Sequence, residues 1–138
     1  MNEWEKIMDE RFCCDNVIAL ATCENDRPHV RNVNAFYENG SFYIITYALS
    51  DKIKQLEKNP HAAISGEWFT AHGIAENMGY IGNEENLTTA DKLRAVFCEW
   101  IDNGHVDFND KNTVILRIRL TDGVLFSEGK RYDIVFNA

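Results

Sequence analysis

The segment Thr46-Tyr47-Ala48-Leu49-Ser50-Asp51-Lys52 brings a hydroxyl and an ammonium to a point where an extended run gives way to a helical period. A helix start exposes unpaired N–H groups and the positive end of its dipole, so Ser50 and Lys52 there describe an anion site. Arg31 lies in the middle of an earlier extended run and is expected to point outward. A guanidinium in that position costs desolvation unless a partner meets its planar donor fork. A phosphate group satisfies both positions. The same residues also fit a plainer arrangement, with Ser50 only a helix cap, Asp51 and Lys52 solvated, and Arg31 paired with a surface carboxylate. Local chemistry leaves the two open.

Other chemistry-bearing residues are scattered. His29, His61, His72 and His105 stand apart from one another, and His72 is the one that could donate a proton. Cys13, Cys14, Cys23 and Cys98 form no C-x-x-C pair and lie at no zinc-finger spacing from a histidine, which points to reduced thiols and to no metal. The adjacent Cys13 and Cys14 leave a redox role open. Nucleophile-elbow, dinucleotide, P-loop and zincin motifs are absent, which removes hydrolase and triphosphatase chemistry.

These residues must be positioned by one core: 138 residues, 45% hydrophobic and 26% charged, fit a single domain over residues 1–138. With 22 acidic against 14 basic residues the charge is −8, which opposes nucleic acid and anionic membranes as partners. No run of about 18 apolar residues and no basic leader with an apolar stretch occurs, so a cytoplasmic protein is expected.

The hydrophobic period predicts a short amphipathic helix over residues 2–12, then strands over 17–23, 29–37 and 41–47 joined by turn-rich clusters. Ser50 starts a helix of about two turns that Asn59-Pro60 ends. Strands over 61–65 and 70–76 follow, and a helix capped by Thr88 or Thr89 places Leu93, Val96, Phe97, Trp100 and Ile101 on one face, covering an open side of the sheet. Residues 113–120 read as a strand, Asp122-Gly123 as a hairpin turn into 124–126, and 130–136 as the last strand. Short antiparallel hairpins with a few covering helices make an α+β protein built on a small barrel.

The fragments Ala19-Leu20-Ala21-Thr22, Pro28-His29-Val30-Arg31-Asn32-Val33, Phe42-Tyr43-Ile44-Ile45-Thr46, Ser50-Asp51-Lys52-Ile53-Lys54-Gln55-Leu56, Asn59-Pro60 and Gly73-Ile74-Ala75-Glu76 occur in a definite order and spacing. Together they resemble the pyridoxamine 5′-phosphate oxidase-like family of FMN-binding split barrels, in particular its small bacterial members grouped with general stress proteins and nitroimidazole-resistance reductases. The resemblance implies a six-stranded antiparallel split β-barrel that forms a homodimer, with FMN in clefts at the subunit interface.

By the same resemblance, Arg31, Ser50 and Lys52 would hold the phosphate, with Asp51 at a position that is often basic. Asn32 and Val33 would run beside the flavin ring, and Ile45 and Thr46 would line the cleft. Trp68 stands where true oxidases carry a glutamine that meets the flavin, Phe36 where they carry a lysine, and Arg131 with Asp133 where they carry an arginine–histidine substrate pair. Trp68, Phe69 and Tyr47 are candidates for an aromatic wall around the ring. The implied function is an FMN-dependent oxidoreductase passing electrons from a reduced nicotinamide to a small acceptor. The alternatives are a flavin-binding or sensing module without turnover, or a split barrel that takes haem or a deazaflavin.

Overall fold

In the computed structural model, which describes residues 1–104 and 106–136, alternation of side chains builds a barrel wall. In β1 (Asn16–Glu24), Ile18, Leu20 and Thr22 are buried and the residues between them are not. The chain reverses at Asn25-Asp26, with φ of 50° and 64°, into β2 (Arg27–Glu38), and again at Asn39-Gly40, with φ of 48° and 81°, into β3 (Ser41–Tyr47). Two successive positive φ values match the twist of two-residue hairpins, and Asn, Asp and Gly tolerate them best.

The helix α2 (Asp51–Lys58) leads to β4 (His61–Gly66) and β5 (Phe69–Tyr80). A 3₁₀ turn (Glu84–Asn86) and α3 (Leu87–Val96) precede β6 (Thr113–Ser127) and β7 (Lys130–Val135), and the first helix, α1, spans Glu3–Phe12. Every strand pairing is antiparallel, in the order β3-β2-β1-β4-β5-β6-β7, and β3 also pairs with β6. That extra pairing closes six strands into a barrel and leaves β7 as an added strand on β6.

Helices close the barrel. From α1, Met8 and Phe12 enter the core, where the Phe12 ring lies 5.6 Å from both Phe42 and Phe69. Ile53 and Leu56 of α2 join the same core. A second apolar cluster forms on the outer face of β2, β3 and β6, where Phe36 and Ile115 meet Ala90, Leu93, Phe97 and Ile101. The expected cover on an open side of the sheet is this cluster.

Three local expectations are corrected. Asp122-Gly123 makes no turn, because β6 runs through it to Ser127 and the hairpin reverses at Glu128-Gly129, with φ of 50° and 76°. Gly123 is needed for close approach: a Cβ there would lie 2.9 Å from the Thr70 carbonyl oxygen and 3.1 Å from the Phe69 ring. The third helix begins at Leu87 without a threonine cap and stops at Val96. Phe97 to Ile101 continue as separate turns, with Trp100 held through its indole N–H to Asp15 Oδ2 at 2.9 Å. His105 lies outside the described residues.

Replacing Gly123 by alanine should therefore lower stability by about 1–3 kcal/mol, the usual cost of overpacking against backbone. Urea unfolding of Gly123→Ala measures this, and an unchanged midpoint would show that the two strands are not in close contact there.

Candidate functional site

The barrel is closed between β2 and β3 only at one end. Pairing runs through Phe36–Tyr43, Tyr37–Phe42 and Glu38–Ser41, and then the strands part. Residues 27–35 of β2 pair only with β1, and residues 44–47 of β3 only with β6. Each strand thus has a free backbone edge facing the split, with N–H and C=O groups that need partners. Helix α2 follows β3 directly, and burial of its Ile53 and Leu56 fixes Ser50, Lys52 and Gln55 at the mouth of this split.

Arg31 sits opposite Leu20 and alternates with Val33 and Ala35, so its side chain lies on the inner face of β2, not outward as its sequence position suggested. Its Nη1 donates to the Leu20 carbonyl at 3.1 Å and to Thr22 Oγ1 at 2.8 Å, and its Nη2 donates to Gln55 Oε1 at 3.1 Å. Thr22 and Gln55 are both buried, and the Thr22 hydroxyl donates to Gln55 Oε1. Among the described residues every hydrogen-bond partner of the guanidinium is neutral, and no carboxylate forms a salt bridge with it.

Lys52 is half-buried and donates from Nζ to Thr46 Oγ1 at 2.7 Å. Its pKa is lowered, first by burial and then by the Arg31 charge, with Asp51 acting in the opposite sense. Burial likewise lowers the pKa of Arg31. Ser50 has the extended backbone of an N-cap, yet its side chain makes no capping bond, and its Oγ is buried without a hydrogen-bond partner. An orphaned hydroxyl normally costs free energy, so this one is short of a partner.

Arg31, Ser50 and Lys52 share a cleft of about 410 Å³ with Glu24, His29, Asp51 and Gln55. Among the described residues neither cation forms a salt bridge. The result is a local excess of donors in an otherwise acidic protein, and the donor set is chemically suited to a tetrahedral oxyanion.

The structure separates the remaining expected residues. Thr46 joins the cleft through Lys52. Asn32 and Val33 lie on the unpaired stretch of β2, Asn32 exposed and Val33 packed on the main core. Ile45 packs on the outer cluster and, with Thr46 and Tyr47, borders a second depression beside Val106, Asp107, Asp110 and Thr113. Phe69 is buried at 2% exposure and so cannot form an aromatic wall. Trp68 is outside the cleft, 71% exposed on the β4–β5 turn at φ 53°, beside Arg11 and Phe126. His72 is on the outer face, its Nδ1 3.0 Å from Asp122 Oδ2. The Cys13 thiol is pushed up by burial and by Asp9, the reverse of what a reactive thiolate needs.

Thr22 and Gln55 occur in the sequence pattern without a site role, although both organise Arg31. The available signal was a hydroxyl on the inward register of an apolar strand and an amide between Ile53 and Leu56.

A model of the pyridoxamine 5′-phosphate oxidase family matches residues 5–124. The chain belongs to this family. Solved structures with the same fold include a NimC/NimA family protein from Clostridium acetobutylicum, 24% identical over 96% of this chain and 94% of that one, TM-score 0.69. General Stress Protein 26 from Bacillus anthracis str. Sterne is 17% identical over 95% and 98% of the two chains, TM-score 0.69. An FAD-binding protein from Mesorhizobium loti is 16% identical over 89% and 92%, TM-score 0.69. No curated protein matches the sequence.

Two positions singled out by the resemblance are taken up by their own packing. Phe36, which the resemblance sets against a lysine, is buried in the outer cluster. Arg131 donates from Nε and Nη2 to Asp133 Oδ1 at 3.1 and 3.0 Å, so its charge is already met by its neighbour.

Relieving the unpaired cations should stabilise the ligand-free protein. Lys52→Met is expected to raise its stability by about 0.5–2 kcal/mol while reducing the stabilisation expected from added phosphate. Because folding lowers the Lys52 pKa, the unfolded chain binds more protons, and wild-type stability rises with pH between the lowered value and the ordinary lysine value. Buried Tyr37, pushed up to about 12, acts in the opposite sense at alkaline pH, so the difference between wild type and Lys52→Met isolates the lysine. Equal slopes in the two proteins would contradict the assignment.

Proposed function

We propose that the chain binds FMN in the split between β2 and β3 and works as a flavin-dependent oxidoreductase, taking electrons from a reduced nicotinamide and passing them to a small acceptor. The observation that carries this reading is the convergence of Arg31 and Lys52 in one cleft, with only neutral hydrogen-bond partners, beside the orphaned Ser50 Oγ. Membership of the pyridoxamine 5′-phosphate oxidase family supports a phosphate-bearing cofactor there.

In this reading Arg31, Lys52 and Ser50 hold the phosphate by charge-assisted hydrogen bonds, which are stronger than neutral ones. Thr46 fixes the Lys52 ammonium, while Thr22 and Gln55 fix the Arg31 fork, so the donors are set before the ligand arrives. The free edge of β2 at Asn32 and Val33 offers backbone groups to the flavin ring, and Ile45 gives an apolar border. FMN, when bound, supplies hydride and single-electron chemistry. The chain's own contribution is to orient the cofactor and exclude water, with no side chain assigned as acid or base.

Exposed Trp68 lies outside this cleft, so a place for it beside a flavin requires a second copy of the chain. A homodimer with the cofactor at the interface accounts for it. No described helix is long and apolar enough to cross a membrane. A cytoplasmic location is part of the same proposal.

Arg31→Ala and Lys52→Ala should each weaken FMN binding by on the order of 1.5–3 kcal/mol and leave riboflavin almost unchanged. Flavin-fluorescence titrations check this, and equal losses for both ligands would refute the phosphate assignment. Anaerobic mixing of the FMN-loaded protein with NADH or NADPH should bleach the flavin, whereas retained colour with both donors would leave a binding module without turnover.

A further inference from the structure

On the face of the barrel turned away from the core, the antiparallel register sets one row of residues across the strands. The row runs from Val30 of β2 through Ala21 of β1, Ala63 of β4 and His72 of β5 to Asp122 of β6. The outward face of an antiparallel sheet is normally polar. Here Val17 and Val30 are exposed by 63% and 70%, and a cavity of about 330 Å³ opens between Val30 and the His72–Asp122 pair. That volume is at the lower end of small-molecule sites and suits one or two fused rings. The cavity shares no residue with the phosphate cleft.

Its polar edge is a fixed pair. His72 Nδ1 lies 3.0 Å from Asp122 Oδ2, and the Thr121 hydroxyl lies 3.0 Å from Asp122 Oδ1. The His72 hydrogen bond, aided by Thr121 and opposed by burial, holds the Asp122 carboxyl below its ordinary value, so it is ionised at neutral pH. An ionised carboxylate only accepts, and Nδ1 of the neutral imidazole must therefore carry the proton. This tautomer leaves Nε2 as an acceptor, and among the described residues it has no hydrogen-bond partner. A carboxylate entering the cavity would meet the Asp122 charge. An ammonium would lose hydration against alanine and valine while both Asp122 oxygens are already engaged. A neutral ring that carries a hydroxyl donor meets neither penalty.

We infer that this outer cavity binds a small neutral phenol-type ring, which lies on Ala21 and Ala63 and donates its hydroxyl to His72 Nε2. Asp122 is the positioning residue, because it sets which nitrogen of His72 is bare. The inference is independent of what the phosphate cleft holds.

The test is equilibrium dialysis of the full chain at neutral pH against 2-naphthol and 2-methoxynaphthalene, rings of similar shape of which only the first can donate. Wild type should bind naphthol about fivefold more tightly, the size of one partly exposed neutral hydrogen bond. Ala63→Leu adds bulk on the outward face, away from the core, and should weaken both rings on the order of tenfold by taking up their contact area. Asp122→Asn keeps His72 but lets the amide donate to Nδ1, which turns Nε2 into a donor. The naphthol preference should then vanish, as it should in His72→Phe, while methoxynaphthalene binding stays near wild type. No saturable binding of either ring to wild type, equal affinities for the two, or a preference that survives both Asp122→Asn and His72→Phe would overturn the inference. So would sedimentation in which Ala63→Leu splits a wild-type dimer, since a second copy would then be what covers the cavity.

Discussion

Two cations brought together in a half-buried space repel each other and lose hydration, and the cost is tolerated only where something anionic is to be met. Arg31 and Lys52 are in that position, with burial lowering the pKa of each and the Arg31 charge further lowering that of Lys52. Hydroxyl, amide and carbonyl partners hold them in place without neutralising them. The remaining architecture is arranged around this constraint. The barrel is left unpaired between β2 and β3 where the cations project, and α2 is anchored by Ile53 and Leu56 so that its start faces the gap.

The other elements make that gap affordable in structural terms. Phe12 from α1 fills the barrel interior, and closure of β3 on β6 keeps the wall continuous although β2 and β3 part. On the outer face of β3, Ile45 is covered by the cluster built on Leu93, Phe97 and Ile101. The split is thus an opening in a well-supported wall, and its exposed backbone edges are confined to the stretch beside the cations.

Much of this was legible in the sequence, and what was not has physical causes. Alternation and two-residue turns gave β1 to β3 nearly to their ends, because period and positive-φ residues agree there. Asp122-Gly123 misled because a glycine needed for close packing inside a strand has the same local signature as a hairpin turn. Phe97, Trp100 and Ile101 keep their helical spacing and their packing after the helix ends, with Trp100 held by Asp15, far away in sequence. At the site, Arg31, Ser50 and Lys52 were readable as anion-binding types, but the inward direction of Arg31 depends on its register against Leu20. Thr22 and Gln55 were invisible for the same reason: a neutral partner is recognised only when the fold places it beside the charge it holds.

The central claim is that the two cations grip a dianionic phosphate. A direct measurement is ³¹P NMR of FMN bound to the protein, followed as a function of pH. Free phosphomonoesters take up their second proton near pH 6, to within about half a unit. A phosphate held by Arg31 and Lys52 should stay dianionic to clearly lower pH, and its resonance should titrate with that lowered midpoint. A bound phosphate that titrates like the free ester would contradict the account.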